Sequence, residues 1–324
     1  MRVRRAIAPV VLVLLAATVP FMILMPGRSH RGALPPLTAG QRALRDRLEA
    51  HVRHLAGEIG PRNVEEPQAL ERAARWLEET LQGLGYAPGA LRFRCEDLEV
   101  RNVEAERRGR ESELVIVGAH YDSVGPCPGA NDNATGVAAT VELARRFRER
   151  ANARTLRFAF FVNEEPPRFQ TPMMGSLVYA RRCRVRGERV AAMLSLETLG
   201  CYSGRQRYPF PFSFFYPAEG NFVGFVGNLS SRALVRRAIG AFRKQAAFPS
   251  EGVAAPAWLP GIGWSDQWAF WEQGYPAVMV TDTAPYRYPH YHKLSDVPDQ
   301  VDFDGLARVV DGLAAVVEEL AGTG

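Results

Sequence analysis

Acidic and imidazole side chains follow apolar runs at several separate points of the sequence. The adjacent pair Glu164 and Glu165 ends the run "TLRFAFFVNEE", although charged residues normally lie in solvent, away from a core. Other candidates in comparable positions are His120, Asp122, Asp132, Glu197, His290 and His292. Any one of them alone is more often solvated, or capping a helix, than chemical. The case for chemistry therefore depends on whether the fold brings them together.

Carboxylates that are crowded at one edge of a core repel one another unless a cation compensates their charge. A divalent metal would make two adjacent glutamates useful, because one can bind the metal while the other handles protons. Histidine nitrogen mixed with carboxylate oxygen, without thiolate, favours Zn²⁺, and Mn²⁺ or Co²⁺ fit the same ligand logic. The pattern predicts a metal centre that contains Glu164 or Glu165.

The elements that would position these residues alternate regularly. Residues 40–84 carry apolar positions at helical spacing and predict two amphipathic helices, and a hairpin from Leu91 leads into a strand at "ELVIVGAHYDS". Helices and strands then alternate to a last helix from Phe303. This order predicts an α/β fold: a central mixed, mostly parallel β-sheet flanked by helices on both faces. Ligands bind such sheets at the carboxyl ends of the strands, where the candidates lie.

One segment, Tyr208 to Phe225, breaks the alternation. It is dense in aromatic residues and proline, and its polar interruptions argue against a core strand. A packed loop and a substrate-facing wall are both compatible with this composition, because binding sites tend to lie on loops. The sequence leaves both interpretations open.

Five motifs occur in order along the chain: "HYDS", "GANDNATG", "NEE", "SLETLG" and "YHKLSD". With these motifs the sequence resembles the co-catalytic zinc exopeptidases, the family of aminopeptidase Y and the bacterial leucyl aminopeptidases, over roughly residues 90–320. The resemblance implies the α/β fold of the zinc exopeptidases, which is phosphorylase/hydrolase-like. It also implies one or two bound Zn²⁺ ions, two being expected, since the related glutaminyl cyclases depart toward a single zinc.

The resemblance further implies a role for each matching residue. His120, Asp132 and Glu197 would hold one zinc, and Asp132, Glu165 and His292 the other, with Asp132 bridging. Glu164 would be the general base and Tyr291 would hydrogen-bond the oxyanion, while Asp122, Asp266 and Asp296 would orient the ligands from behind.

Three positions bear on how well the family pattern is kept. His292 is preferred to His290 because the family pairs Tyr with His and places Asp four residues on. The sequence departs from the family at Glu197, where many members have Asp, and at Gln267, where His is common. The longer arm of Glu197 changes its reach, and Gln267 follows Asp266 at the position where the family commonly has histidine.

The function that follows is a zinc-dependent aminopeptidase that hydrolyses N-terminal residues from peptides by metal-activated water. A glutaminyl-peptide cyclotransferase on the same scaffold and a non-catalytic, membrane-tethered binding module are the alternatives. A serine hydrolase is disfavoured because the sequence lacks a GxSxG motif. The net charge of +5 rests on arginines spread among acidic residues, so nucleic acid is not an expected partner.

The N-terminus predicts export. "MRVRR" precedes an uncharged stretch from Ala6 to Met25, about as long as a helix that crosses a bilayer. We expect residues 1–27 to be a signal anchor, with a cleaved signal peptide as the alternative, residues 28–39 to be a linker, and residues 40–324 to be a single catalytic domain. That domain would be periplasmic or extracellular. The four cysteines fit an oxidising compartment, but the sequence leaves their pairing open.

Overall fold

Eight strands form one mixed sheet through the centre of the chain in this computed structural model, which describes residues 18–210 and 212–322. The strands are β1 (Gly89–Cys95), β2 (Leu98–Arg107), β3 (Glu111–His120), β4 (Arg154–Phe161), β5 (Val190–Glu197), β6 (Val223–Asn228), β7 (Ser250–Ala255) and β8 (Ala277–Thr281). Their order in the sheet is β1-β2-β4-β3-β5-β8-β6-β7. Strands β4, β3, β5 and β8 are parallel, so their carboxyl ends meet at one edge.

Helices cover both faces of this sheet. They are α1 (Ala39–Val52), α2 (Pro67–Gly83), α3 (Thr135–Phe147), α4 (Gly175–Val185), α5 (Arg232–Gln245), α6 (Gln267–Glu272), α7 (Ala284–Arg287) and α8 (Phe303–Ala321), with short π-helical turns at Arg53–Ile59 and Ala130–Ala134. Helices α1, α2, α3, α5 and α8 share one apolar core, while α4 and α6 pack on the opposite face. The predicted α/β fold, with a mixed sheet and helices on both faces, is confirmed.

The sequence prediction missed two strands, β6 and β7, at one edge of the sheet, whereas the neighbouring strand β8 was predicted. The segment Tyr208 to Phe225, interpreted as a loop, contains the start of β6 at Val223, and β7 was not predicted at all. Strand β6 is short and Gly-rich ("VGFVGN"), so its composition does not announce a strand. It runs antiparallel to β8 and parallel to β7, which reverses the strand direction on this side of the sheet.

The predicted anchor lies mostly outside the described residues. Its last part, a helical segment at residues 18–22 and the chain that follows, lies along α5 and the outer edge of β7. Within the described part of the chain, every helix is too short or too polar to span a bilayer. The division at residues 27 and 39 stays a prediction. All four cysteine side chains are buried free thiols.

Candidate metal centre

The carboxyl edge of the parallel strands gathers the acidic and imidazole residues. His120 is the last residue of β3, Glu197 is the last residue of β5, and Glu164 follows β4 by three positions. His120 is fully buried and the side chains of Glu164 and Glu197 are almost so. Strand direction therefore brings into one place residues that lie far apart in sequence.

The first candidate ligand group consists of His120, Asp132 and Glu197. Nε2 of His120 lies 3.3 Å from Oδ1 of Asp132 and 3.2 Å from Oε2 of Glu197. Yet that nitrogen makes no hydrogen bond to any described residue, although it is buried. A buried polar atom normally has a partner, so the three atoms converge on a point where something else should bind.

The second group shares Asp132 and adds Glu165 and His292. Nε2 of His292 lies 3.1 Å from Oδ2 of Asp132 and 3.2 Å from Oε2 of Glu165, and within the described chain it too lacks a hydrogen bond. One carboxylate oxygen of Asp132 thus faces each histidine. Asp132 therefore offers one carboxylate oxygen to each candidate ligand group.

These donors fit Zn²⁺. Nitrogen and oxygen ligands at about 2.0–2.1 Å in a tetrahedral site lie roughly 3.3 Å from one another, and the four distances above are 3.1–3.3 Å. Each group combines one imidazole with two carboxylates, which is one protein ligand fewer than a closed tetrahedral site needs. An open position is typical of catalytic rather than structural zinc sites.

Asp122 fixes the backbone of the adjacent residues Glu164 and Glu165. Its two carboxylate oxygens accept hydrogen bonds from the backbone N–H groups of Glu164 and Glu165, each at 3.2 Å. Asn163, just before them, has a left-handed backbone with φ of 61°. The turn points the Glu165 side chain toward His292 and the Glu164 side chain toward His120, whose Nε2 is 3.8 Å from Glu164 Oε2.

Nδ1 of His120 contacts Asp122 chiefly through its backbone. That nitrogen lies 3.2 Å from the Asp122 carbonyl oxygen but 3.6 Å from its nearer carboxylate oxygen. A hydrogen bond from Nδ1 to the carbonyl leaves Nε2 free to act as a ligand. Asp122 therefore contacts His120 through its backbone carbonyl, while its carboxylate accepts hydrogen bonds from the backbone of Glu164 and Glu165.

Asp296 fixes the loop that carries Asp132. It accepts hydrogen bonds from the backbone N–H groups of Asn131 at 2.9 Å and Asp132 at 3.1 Å, and from the Tyr288 hydroxyl at 2.8 Å. Because these bonds fix the backbone of Asp132, its side-chain carboxylate is left to face both His120 and His292. Sequence reasoning placed Asp296 behind the ligands but did not identify this loop as its partner.

Arg62 was missed by sequence reasoning. This fully buried arginine donates to the carbonyl oxygens of Tyr121 at 2.7 Å and Gly129 at 2.8 Å, so it ties the β3 end to the Asp132 loop. Burial lowers its pKa to about 10, although Asp122 and Asp296 favour the charged form. A lone arginine before the first strand gives no sequence signal for this role.

The remaining predicted residues lie around the cluster. Asp266 is fully buried, and neither of its oxygens has a hydrogen-bond partner among the described residues. Its neighbour Ser265 instead contacts a ligand, donating to Oε2 of Glu197 at 2.6 Å. The Tyr291 ring stacks on the His292 ring with centroids 3.9 Å apart. His290 is turned away and contacts the Ser295 hydroxyl at 2.9 Å, outside both ligand groups.

Proton affinities in the cluster reflect its crowding. Burial raises the pKa of Glu165 to about 8 and that of Glu164 well above its usual value. Burial opposes a charge on His120, but the carboxylates of Glu164 and Glu197 outweigh it and raise its pKa. The acids and imidazoles therefore compensate one another by sharing protons, and a divalent cation would replace those protons as the compensating charge.

An apolar cleft opens beside the candidate ligands. Glu197 and Tyr291 lie at its border, and its walls include Phe212, Val226, Ile262, Trp264 and Met279. The wall combines the aromatic segment with strands β6 and β8. The aromatic segment thus lines a cleft at the site, which is one of the two interpretations left open by its composition.

Comparison with known proteins places this geometry in a family. Residues 102–317 match the family model described as peptidase family M28. The chain is 32% identical over 289 residues to "Uncharacterized protein YfbL" of Escherichia coli, covering 84% of this chain and 87% of that one. It is 26% identical over 272 residues to leucine aminopeptidase 1 of Trichophyton equinum, covering 78% and 68%.

Solved structures share the fold at low identity. The zinc aminopeptidase BSAP of Bacillus subtilis superposes with a TM-score of 0.69 at 14% identity, covering 85% of this chain and 95% of that one. A glutaminyl cyclase of Fimbriiglobus ruber superposes with a TM-score of 0.63 at 21% identity, covering 90% and 98%. Together with the ordered motifs and the two ligand groups, the family match leads to one conclusion. The chain belongs to peptidase family M28.

Proposed function

We propose that this metallo-exopeptidase is a zinc-dependent aminopeptidase that removes apolar N-terminal residues from peptides. The observation that carries the proposal is the pair of ligand groups joined by Asp132, with Glu164 beside them and an apolar cleft at their border. A likeness to a protein named leucine aminopeptidase 1 supports the same reaction.

His120, Asp132 and Glu197 would hold one zinc, and Asp132, Glu165 and His292 the other. Bound zinc would supply a polarised scissile carbonyl and a water molecule whose lowered pKa lets it lose a proton before it attacks. Glu164 is suited to be the base because it lies beside the ligands at 3.8 Å from His120 Nε2, outside both groups. It takes the proton of the attacking water and passes it to the departing amine.

Two further parts of the chain would orient the substrate. Tyr291 lines the cleft, and its hydroxyl would donate a hydrogen bond to the carbonyl oxygen as negative charge develops there. Apolar side chains such as Val226, Ile262 and Met279 would surround the side chain of the N-terminal residue. The acidic cluster also favours a substrate whose free α-amino group is positively charged.

The proposal is tested by incubating the zinc-loaded chain with a mixed peptide library and identifying which end shortens. Matched peptides with acetylated N-termini are the control, and they should stay intact because an aminopeptidase needs the free amine. Shortening from the carboxyl end would contradict the proposal. Ammonia release from peptides with N-terminal glutamine, without cleavage, would assign the chain to the glutaminyl cyclases instead, and an intact library without ammonia release would favour a binding module.

We also propose two zinc ions per chain. Both groups have one imidazole and two carboxylate donors at ligand spacing, so neither is less complete than the other. Dialysis against a chelator, reloading with zinc and metal analysis should give a zinc-to-protein ratio near two. A ratio near one, with full activity, would show that only one group is used.

The proposed location is the outer face of a membrane. The basic "MRVRR" and the apolar residues that follow it support an exported domain with a retained N-terminal anchor. Expression of the full chain and fractionation of the cells test this. Full-length chain in the membrane fraction, with its catalytic domain open to external protease, is expected, whereas a cytosolic chain would contradict the proposal.

A further inference from the structure

We infer that the edge of the sheet opposite the metal centre is a surface that docks on an anionic phospholipid bilayer. The inference rests on the proposed export and anchoring but not on the proposed peptidase chemistry. It goes beyond them because it assigns the orientation of the whole domain. We call this surface the basic rim and define it by the connections at residues 107–110, 148–154, 184–189 and 229–237.

These four connections are neighbours in space. Strand β8 begins at the same edge as β3, β4 and β5, and β6 ends there because it runs antiparallel to β8. Backbone hydrogen bonds join the connections to one another and to the strand between them: Arg110 N–H donates to the Asn152 carbonyl oxygen, and Leu114 N–H, in β3, donates to the Arg189 carbonyl oxygen. The Ala277 N–H, at the start of β8, donates to the Ser231 hydroxyl. The basic rim is therefore one continuous edge.

The basic rim is strongly positive. Its four connections contain twelve arginines and two glutamates. Acids next to the rim pair with some of the arginines: Glu113 lies 2.8 Å from Arg154, and Glu319 lies 3.0 Å from Arg237. Other arginines of the rim have no ion-pair partner among the described residues.

Three exposed arginines show this most clearly. Arg110, Arg184 and Arg186 take part in none of the ion pairs between described residues. Between the last two lies Val185, which is 88% exposed at the end of α4. An apolar tip flanked by cations is typical of a surface that meets lipid headgroups.

Helix dipoles do not account for this charge. Cations are favoured at helix carboxyl ends, which would explain the arginines that end α3 and α4. The rim, however, also includes Arg232 and Arg236 in the first turns of α5, where the dipole disfavours cations, and no acid offsets them there. The arginines at 107–110 lie between two strands, with no helix at all. Arg232 and Arg236 also contact carbonyl oxygens of the N-terminal stretch, so the charge that helix dipoles leave unexplained is clearest at 107–110, and an external anion would account for it.

The apolar N-terminal stretch reaches the same rim. Phe21 lies under the Arg232 guanidinium at 4.0 Å, and its carbonyl oxygen accepts a hydrogen bond from Arg232 Nε at 2.6 Å. Arg236 donates to the carbonyl of Leu24. The side chains of Phe21 and Leu24 are 50% and 60% exposed. Because this stretch continues back to Ala6 without a charge, an anchored chain would hold the basic rim against the bilayer.

The test uses the full chain reconstituted into vesicles. Since the four native thiols are buried, a single introduced cysteine can carry a fluorophore selectively. Val185→Cys labels the basic rim, and Asp97→Cys labels the exposed β1–β2 turn at the opposite edge. Quenchers attached to lipid headgroups should quench the label at position 185 but not at position 97. The vesicles are phosphatidylcholine alone, or phosphatidylcholine with an equal part of phosphatidylglycerol.

Charge dependence separates docking from mere anchoring. An arginine near an anionic surface strengthens attraction about fivefold, so the triple variant Arg110→Gln, Arg184→Gln, Arg186→Gln should weaken docking roughly a hundredfold. Quenching at position 185 should then fall to the value in phosphatidylcholine alone, and added salt should act in the same direction.

A matched triple variant controls for net charge. Arg75→Gln, Arg92→Gln and Arg205→Gln remove the same charge from exposed positions outside the rim, and this variant should keep its quenching. Thermal unfolding of both triple variants shows that they are folded.

Several outcomes would overturn the inference. These are no quenching at position 185 with phosphatidylglycerol, equal quenching in both kinds of vesicle, and equal quenching at positions 185 and 97. Duplex DNA binding without quenching by anionic vesicles would assign the rim to a polyanion instead. Failure of the full chain to float with phosphatidylcholine vesicles would refute the anchor. In that case, flotation only with the vesicles that contain phosphatidylglycerol would still support docking by the rim. Failure to float with those vesicles as well would refute docking.

Discussion

Replacement of the proposed base, Glu164→Gln, separates proton transfer from metal binding. The amide has the shape of the carboxylate but cannot take a proton from water. Glu164 belongs to neither ligand group, and its Oε2 lies 3.8 Å from the His120 nitrogen, whereas the ligand distances are 3.1–3.3 Å. The variant should therefore keep its zinc.

The loss of a general base costs about 10²- to 10⁴-fold in rate, or roughly 3–5 kcal/mol of transition-state stabilisation. We expect that loss in kcat, with little change in KM, because Glu164 would act on the attacking water and does not line the apolar cleft. The fold should not suffer, since the pKa of Glu164 is raised by burial and by nearby carboxylates, and a neutral side chain relieves that repulsion. The melting temperature should therefore stay the same or rise.

The assay compares wild type, Glu164→Gln and Glu164→Asp on an aminoacyl-p-nitroanilide with leucine, with zinc content measured on the same samples. Aspartate keeps the chemistry on a shorter arm and should retain more activity than glutamine. Near-normal turnover by Glu164→Gln would refute its assignment as the base. Loss of zinc together with activity would show instead that Glu164 is a ligand.

Three other changes test separate parts of the molecule. Asp132→Asn should lower zinc content in both ligand groups together, because one oxygen of Asp132 faces each histidine, and full zinc content by metal analysis would contradict bridging. Val226→Phe should narrow the cleft and lower kcat/KM for leucyl substrates about 10- to 100-fold, while the smaller alanyl substrates should be spared. An equal loss of kcat/KM on both substrates would contradict the assignment of the cleft as the side-chain pocket. Glu142→Gln should destabilise the fold by about 3 kcal/mol at pH 7, because hydrogen bonds from His51, Arg47 and Arg145 outweigh burial and lower the pKa of Glu142 from 4.5 to about 2. This stabilisation is present above the unfolded pKa of Glu142 and is lost as pH falls toward 2. In urea unfolding, the difference in unfolding free energy between wild type and variant should therefore shrink below about pH 4.5. A difference that stays constant with pH would contradict this prediction.

The edge of the sheet at which the candidate residues lie could be predicted because the ends of the parallel strands can be identified in the sequence. A β-strand with helices on both faces is apolar along its length, so the first charged residue marks its end. His120 and Glu197 each fall at such an end, and parallel strands place those ends side by side. Which residues face one another across the site depends on loops, and here the family resemblance supplied the expected pairs.

Loop conformation is what the sequence could not supply. Asp122 accepts hydrogen bonds from two backbone N–H groups that follow the turn at Asn163. The backbone of Asn163 is left-handed in that turn, which is uncommon for a residue other than glycine. Arg62 acts through carbonyl oxygens, which every residue has, so no residue type in the partner segments reveals it. Strands β6 and β7 are six residues each and were hidden by their glycines.

The two ends of the sheet carry opposite charge, and the sheet sets the distance between them. Strand β3 runs from the basic rim to His120 in ten residues, which span about 30 Å at roughly 3.3 Å per residue. This is several times the Debye length of about 8 Å in physiological salt, so the arginines of the rim cannot steer a substrate at the metal centre. A domain docked by its rim would hold the cleft about that far from the bilayer. Peptides with N-termini free in solution would reach it, whereas N-termini embedded in the membrane would not. Anionic lipid should therefore change the orientation of the domain without changing kcat/KM on soluble peptides, and a lipid-dependent kcat/KM would show that the cleft lies nearer the membrane than this geometry places it.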